Sequence, residues 1–317
     1  MTAYTEPRFQ APVVIVGAPR SGTSLLHRIL RGHPGFVSTA RESQPVWQPL
    51  TEPAQYAWTG ERAPSNLQNR DIDWIHRRLA KLALPAEVWQ RADARDVPAG
   101  QRNPWLSRWV LRPGYRGLVM VRGLRWRSTM GLRLVDKCVH SGLWPELLES
   151  AFPDARYLHI VRDPADTLHS MVNGWLSPER FFTWELPRPL AIPDYPFTMW
   201  NFPLPQGWEA MLDRPLAEVV AFQWDAIQKG ILGLEARIPS TRFLRVHLED
   251  FDTRPRETVK RIASFLDLPW SDYMETFAIS VPRVNASSKT SSRLELAKSI
   301  EDVLPSVGVT ANRLGYV

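Results

Sequence analysis

The residues whose types and spacing carry the most chemistry lie in one short segment, Val16-Gly-Ala-Pro-Arg-Ser-Gly-Thr-Ser-Leu25. The apolar run Pro12-Val-Val-Ile-Val-Gly17 leads into it and reads as a buried strand. A helical pattern follows from Gly22 to Arg31, with Leu25, Leu26, Ile29 and Leu30 on one face and Gly32 and Pro34 ending it. A strand that turns through glycine into a helix leaves backbone N–H groups exposed at the positive end of the helix dipole. That arrangement binds anions. Gly22 lets the backbone approach a phosphate closely, and Thr23 and Ser24 add hydroxyl donors. Gly17, Gly22 and Ser24 fit the nucleotide-hydrolase pattern G-x-x-x-x-G-K-[ST], but Thr23 stands where the lysine belongs. A kinase or GTPase would lose its β/γ-phosphate lysine here. Arg20, two residues before Gly22, offers a guanidinium instead, so the loop suits a terminal anion held by an arginine and hydroxyls.

The elements that must position this loop alternate along the chain. Further strands are predicted over 132–135, 156–161 and 241–246. Helices are predicted over 71–82, 143–151, 216–238 and 256–266, and another opens at Asp163-Pro164, with Asp as N-cap and Pro in the first turn. This alternation predicts an α/β protein: a phosphate-loop-type parallel β-sheet flanked by helices on both faces. Two stretches interrupt it. Residues 47–116 are mixed. Residues 175–215 carry Trp175, Trp184, Trp200 and Trp208 among eight prolines. Stretches this long between regular elements are usually functional or disordered, and the aromatic content argues against disorder. No repeat or linker divides the chain, which predicts a single domain over 1–317 with 47–116 and 175–215 as insertions.

A second segment narrows the reading: Phe152-Pro-Asp-Ala-Arg-Tyr-Leu-His-Ile-Val-Arg-Asp-Pro-Ala-Asp-Thr-Leu-His-Ser170. Arg162 closes a strand, and Ser170 follows on the next helix about two turns along. A guanidinium fork and a hydroxyl at that spacing suit a phosphate. Together, Pro19-Arg-Ser-Gly-Thr-Ser24 and this segment resemble the sulfotransferases that use 3′-phosphoadenosine 5′-phosphosulfate. The resemblance is to the bacterial and tyrosylprotein-type branch, whose loop reads Pro-Arg-Ser-Gly-Thr-Thr. The cytosolic branch carries Lys at the Arg20 position. Weaker similarities lie in Val135-Asp-Lys137, in His247-Leu-Glu-Asp-Phe251 with Pro255 to Pro269, in Asn285-Ala-Ser-Ser-Lys289 and in Leu314-Gly-Tyr316. The resemblance does not extend recognisably to the two interrupting stretches, and they are where an acceptor pocket would be shaped.

The resemblance implies a set of roles. Pro19, Arg20, Ser21, Gly22, Thr23 and Ser24 would hold the 5′-phosphosulfate. Arg162 and Ser170 would hold the 3′-phosphate, with His247, Ser287, Ser288 and Lys289 also toward the cofactor. Sulfuryl transfer is an in-line displacement that needs a base for the acceptor and stabilisation of charge on the transferring and leaving groups. Arg20, Lys137 and Ser288 would stabilise that charge. Glu42, one helix after the loop, matches the position of a catalytic Glu in tyrosylprotein sulfotransferases. His140 is its rival, because cytosolic sulfotransferases use a His shortly after the equivalent lysine. A carboxylate works as a base near neutrality only if burial raises its pKa, whereas an imidazole needs less tuning. The acceptor would be a hydroxyl (less readily an amine) on a small molecule, glycan, lipid or natural product, and the second product adenosine 3′,5′-bisphosphate. Trp58, Trp175, Trp184, Trp200 and Trp208 could wall an apolar acceptor pocket, although core packing is the commoner role for tryptophan. His27, His33 and His169 read as ordinary helix or loop histidines.

Composition bounds the alternatives. The chain has 317 residues, 44% of them hydrophobic and 23% charged, as in ordinary globular proteins. No run approaches the roughly 18 uncharged apolar residues of a membrane span, and the first twelve residues hold no apolar signal core, so a cytoplasmic, bacterial-type enzyme is expected. The single cysteine, Cys138, excludes an internal disulfide framework and a multi-cysteine zinc site, and no metal is expected. The net charge of +6 is mild for this length, and the arginines at 62, 70, 77, 78, 91 and 95 are scattered among acids, so a nucleic-acid partner is not expected. A homodimer is compatible with the sequence. Two competing readings are a nucleotide-dependent kinase with an atypical loop and a nucleotide-binding protein that has lost its chemistry.

Overall fold

The computed structural model describes residues 8–39, 42–51, 67–95, 133–177, 183–193, 195–280 and 293–316. Strand β1 (Val13–Val16) lies inside a six-stranded sheet. Strands β4 (Arg133–Lys137) and β5 (Arg156–Val161) flank it, both parallel. Outside them run β2 (Phe36–Thr39) beside β4 and β8 (Phe243–His247) beside β5, again parallel. The short β3 (Ala83–Pro85) closes the β2 edge in the antiparallel sense. The expected parallel sheet is therefore present, with one antiparallel edge strand.

The continuous apolar run of β1 follows from its place between two covered faces. Successive side chains alternate across a strand, so Val13 and Ile15 enter one core and Val14 and Val16 the other. The first core receives Leu26 and Ile29 of α1 (Thr23–Arg31), Val259 and Ile262 of α9 (Pro255–Phe265) and Met274 of α10 (Asp272–Ser280). On the opposite face lie α2 (Gln44–Thr51), α3 (Asn69–Leu82), α5 (Pro145–Ala151), α6 (Pro164–Trp175), α7 (Leu216–Glu235) and α11 (Arg293–Leu314). Two more short helices, α4 (Ala86–Arg95) and α8 (Glu249–Thr253), follow β3 and β8. Helix α6 begins as its sequence dictates. Asp163 accepts a hydrogen bond from Asp166 N at 2.9 Å, and Pro164 occupies the first turn.

Some boundaries differ from the sequence reading, for identifiable reasons. Strand β4 runs on through Asp136 and Lys137, whose charges mask a strand pattern. Residues Ser240–Arg242 form a 3₁₀ turn, so β8 starts at Phe243 and extends to His247. Strand β2 spans only four residues. The long α11 contains Pro305, which argues against a helix in a sequence reading, yet it packs against α6 and α7.

In the stretch 175–215 the tryptophans are buried in the core. The described residues of this stretch form a two-stranded ribbon, β6 (Thr183–Trp184) and β7 (Trp200–Asn201). Trp175 meets Trp200 edge to face at 5.1 Å and Tyr195 at 5.2 Å, and Trp200 meets Trp208 at 6.5 Å. Three of these indoles donate hydrogen bonds: Trp175 Nε1 to Gln223, Trp184 Nε1 to the Phe202 carbonyl and Trp200 Nε1 to the Pro203 carbonyl. Asn201 Nδ2 ties this ribbon to the Gly174 carbonyl at the end of α6. Trp58 lies outside the described residues. Replacing Trp200 by Ala should cost about 3–5 kcal/mol in urea unfolding. Ile279→Ala, at a side chain 77% exposed, should stay within about 0.5 kcal/mol of the parent.

Candidate active site

Five parallel strands deliver their carboxyl ends to one edge of the sheet, the edge where ligands bind in open α/β folds. The loop 17–22 leaves β1, and Lys137 ends β4. Arg162 follows β5, Leu248 follows β8, and Glu42 lies three residues beyond β2. These groups meet in a cavity of about 690 Å³.

The loop is shaped by two glycines that no other residue could replace without displacement. A Cβ on Gly17 would sit 2.7 Å from the Ile160 carbonyl oxygen. A Cβ on Gly22 would sit 2.6 Å from Leu248 Cδ1, and Gly22 holds φ at 101°. Arg20 adopts φ of 71°, a region that costs a non-glycine residue energy and recurs at functional turns. Ser21 is fully buried and donates its hydroxyl to the Ala18 carbonyl at 2.7 Å, which closes the turn.

Ten of the residues singled out from sequence border this cavity. Pro19, Arg20, Gly22, Thr23 and Ser24 come from the loop and the first turn of α1, and Glu42, Lys137, His140, Arg162 and Ser170 from elsewhere. Arg20 Nε donates to Ser170 Oγ at 3.1 Å, joining the two segments singled out from sequence across 150 residues. Partial burial and then the charge of Arg162 lower the Arg20 pKa, so the two guanidinium groups feel each other. Arg162 is largely buried and pairs with Asp166 at 3.2 Å.

Lys137 Nζ donates to Glu42 Oε1 at 2.6 Å and to Ser24 Oγ at 3.1 Å. The Glu42 side chain is a third exposed, so the deep burial that the base role called for is not what surrounds it; an ammonium group is. His140 borders the same space at 2% exposure, stacked on Trp144 and edge-on to Trp184. Behind Glu42, the fully buried Asp136 accepts from Trp47 Nε1, which also donates to Ser43 Oγ, while Ser43 N donates to the Lys137 carbonyl. Burial above all, with the nearby Glu42 charge, raises the Asp136 pKa to about 6, against hydrogen bonds from Ser43 and Trp47 that lower it. Burial likewise drives the His27 pKa down to about 3, reinforced by Lys137 and Arg31; its Nε2 pairs with Ser38 Oγ. Cys138 is buried, and desolvation pushes its thiol pKa well up.

Other expected residues lie elsewhere. Ser21 turns into the loop, as described. His247 sits at the end of β8 beside Tyr316, outside the cavity lining. Ser287, Ser288 and Lys289 lie outside the described residues. Trp175, Trp184, Trp200 and Trp208 pack in the core, while Phe202 of the same stretch borders the cavity, held at φ of 61°. Gln44, Pro45 and Gln48 of α2 and Val139 also border it and were not anticipated. The i,i+4 spacing of Gln44 and Gln48 just after Glu42 is the signal that could have found two of them. Among the described residues, no three His, Cys, Asp or Glu side chains gather as a metal site. No described helix is long and apolar enough to cross a membrane.

A strand–glycine loop–helix with three cations gathered at the carboxyl edge of a mostly parallel sheet defines a phosphate-loop-type α/β protein. Residues 12–185 match the model of the sulfotransferase family. That is more than half of the chain, and the chain belongs to this family; it is a transferase of sulfuryl groups. No curated protein matches it closely. Among solved structures, it is similar to the sulfotransferase domain from the curacin biosynthetic pathway. The two are 15% identical over 98% of this chain and 99% of that one, with a TM-score of 0.51. It is also similar to the sulfotransferase STF9 from Mycobacterium avium, at 16% identity over 98% of this chain and 78% of that one, with a TM-score of 0.50. These likenesses speak to the fold.

The buried ionisable groups give a pH dependence. His27 and His159, the latter paired with Gln228, have folded pKa values near 3 against 6.5 unfolded. Their contribution is present above pH 6.5 and is lost as the pH falls toward 3, by up to about 1.4 kcal/mol per pH unit each. Asp136 acts in the opposite sense. Its folded pKa of about 6 exceeds the unfolded 3.8, so acid favours the folded chain between those values. Urea-unfolding free energy should therefore fall from pH 6.5 to pH 4, and Asp136→Asn should steepen that fall. An unchanged slope in the variant would remove Asp136 from the balance.

Proposed function

We propose that this chain moves a sulfuryl group from 3′-phosphoadenosine 5′-phosphosulfate to an acceptor hydroxyl, working as one domain over 1–317. The observation that carries the reading is the convergence of Arg20, Lys137 and Arg162 on one cavity from the ends of three different strands. Arg20 and Arg162 border the same cavity, and an anion between them would offset the repulsion of the two guanidinium groups. Gly22, with its φ of 101°, turns the chain into α1, whose first backbone N–H groups would hold a phosphate. The loop N–H groups, Arg20, Thr23 and Ser24 would hold the 5′-phosphosulfate, and Arg162 with Ser170 the 3′-phosphate. The bound donor supplies an activated sulfuryl group on a phosphate leaving group.

The chain's own residues then divide the work. Lys137, already on Ser24, is placed to neutralise charge on the oxygen leaving sulfur. Glu42 takes the acceptor proton as the acceptor oxygen bonds to sulfur and the bond from sulfur to the 5′-phosphate breaks. For that, the Lys137–Glu42 ion pair has to open, and an anionic donor competing for Lys137 provides the pull. Glu42 is preferred over His140 because it reaches Lys137 directly, whereas His140 is packed between two indoles. Gln44, Pro45, Gln48 and Phe202 would face the acceptor, a small molecule or the hydroxyl of a glycan, lipid or natural product, with the stretches 47–116 and 175–215 shaping its pocket.

Isothermal titration should give tighter binding of adenosine 3′,5′-bisphosphate than of ADP with Mg²⁺. Arg162→Ala should weaken the bisphosphate by about 10- to 100-fold, the worth of charge-assisted hydrogen bonds to phosphate. Equal or better binding of ADP with Mg²⁺ overturns the donor and favours a kinase. Glu42→Gln should lower turnover by about 100- to 10,000-fold with bisphosphate binding intact. Full turnover in that variant, with a loss in His140→Gln, would move the base to His140.

A further inference from the structure

The turn that carries Arg162 is held from behind by a set of hydrogen bonds that the proposed reaction does not use. Glu249, the first residue of α8, accepts the Asp163 N–H on Oε1 at 2.8 Å. Its other oxygen accepts the Tyr316 hydroxyl at 3.0 Å. That hydroxyl also lies 3.1 Å from His247 Nδ1, with the two rings 5.2 Å apart. Tyr316 reaches this place because Gly315, at φ of 94°, turns the chain back at the end of α11, and Tyr316 N donates to the Ala311 carbonyl. The residues on either side of Arg162 are thereby fixed. Val161 O accepts from Leu248 N at 2.8 Å, and Asp163 is held through its N–H by Glu249 and through its carboxylate by Asp166 N.

A carboxylate with one oxygen on a backbone amide and the other on a phenol has little freedom to rotate. Burial and the Glu249 charge raise the Tyr316 pKa, so the phenol stays protonated and remains the donor. We propose that Tyr316 and Glu249 are positioning residues for Arg162. They fix the β5–α6 turn so that the guanidinium meets the 3′-phosphate of the donor, and through it they set the preference for a 3′-phosphorylated nucleotide. This rests on the reading of Arg162 given above. Neither side chain borders the cavity, so their effect reaches the ligand only through the turn.

The test compares two probes, adenosine 3′,5′-bisphosphate and ADP, on the full chain. Tyr316→Phe should weaken the bisphosphate by roughly three- to tenfold, the worth of one hydrogen bond, and leave ADP unchanged. Glu249→Ala should do more, and Glu249→Gln, which keeps a carbonyl oxygen for Asp163 N–H, should recover most of the loss. Amide hydrogen exchange should quicken at Asp163–Thr167 in Tyr316→Phe while α1 keeps its protection. Equal weakening of both probes with exchange rising throughout would mean a merely structural role. Unchanged bisphosphate affinity with unchanged exchange overturns the proposal. If the parent protein does not prefer the bisphosphate, the donor assignment falls, and with it the link to the 3′-phosphate. The hold of Tyr316 on the turn is then still decided by exchange alone.

Discussion

The structure depends on the parallel register of β2, β4, β1, β5 and β8. Ile15 pairs with Lys137, Val16 with His159 and Val161 with His247, so the strands end at nearly the same level. Every group in the cavity that comes from a strand end owes its place to that alignment. A slip by one residue would turn Lys137 to the opposite face and bring Asp136 into the site. The cost of such a slip is high because both faces are covered. Val13 and Ile15 would exchange cores with Val14 and Val16.

Around that frame the charges are arranged in pairs of opposite consequence. On the open side, Arg20, Arg162 and Lys137 gather, with Arg162 paired to Asp166 and Lys137 to Glu42. On the covered side, burial holds His27 and His159 largely uncharged. A neutral His27 matters because it lies close enough to Lys137 and Arg31 for their charges to act on it. A protonated His27 would be repelled by both cations. Asp136, with Trp47 and Ser43, supports the segment that presents Glu42 without adding its carboxylate to the cavity. The open side of the site is thus cationic, and the histidines beneath it are held neutral.

The two segments that meet at the cavity were legible because each is encoded within a few consecutive residues. Strand, glycine turn and helix follow one another from Val13 to Arg31, and the Arg162–Ser170 spacing is a property of one capped helix. The fold class was legible for a similar reason, since alternation of apolar strands with helices leaves few topologies. The tryptophans were harder. Trp175 and Trp200 lie 25 residues apart in a proline-rich stretch without periodicity, and only their edge-to-face contact assigns them to the core. Phe202 takes the cavity position through a left-handed backbone that its residue type does not announce.

What the sequence by itself determined is the loop around Gly17 and Gly22, the strand–turn–helix segment that carries Arg162 and a parallel sheet to carry them. Helix periodicity, capping and glycine geometry act over a few residues, so they can be read where they stand. What only the tertiary structure decided is which distant side chains meet. Glu42 and Lys137 are 95 residues apart, Arg20 and Ser170 are 150, and His247 turns to Tyr316 rather than to the cavity. Such pairings depend on which strands become neighbours and which face each side chain takes. Burial of the whole sheet settles that, and no short segment carries it.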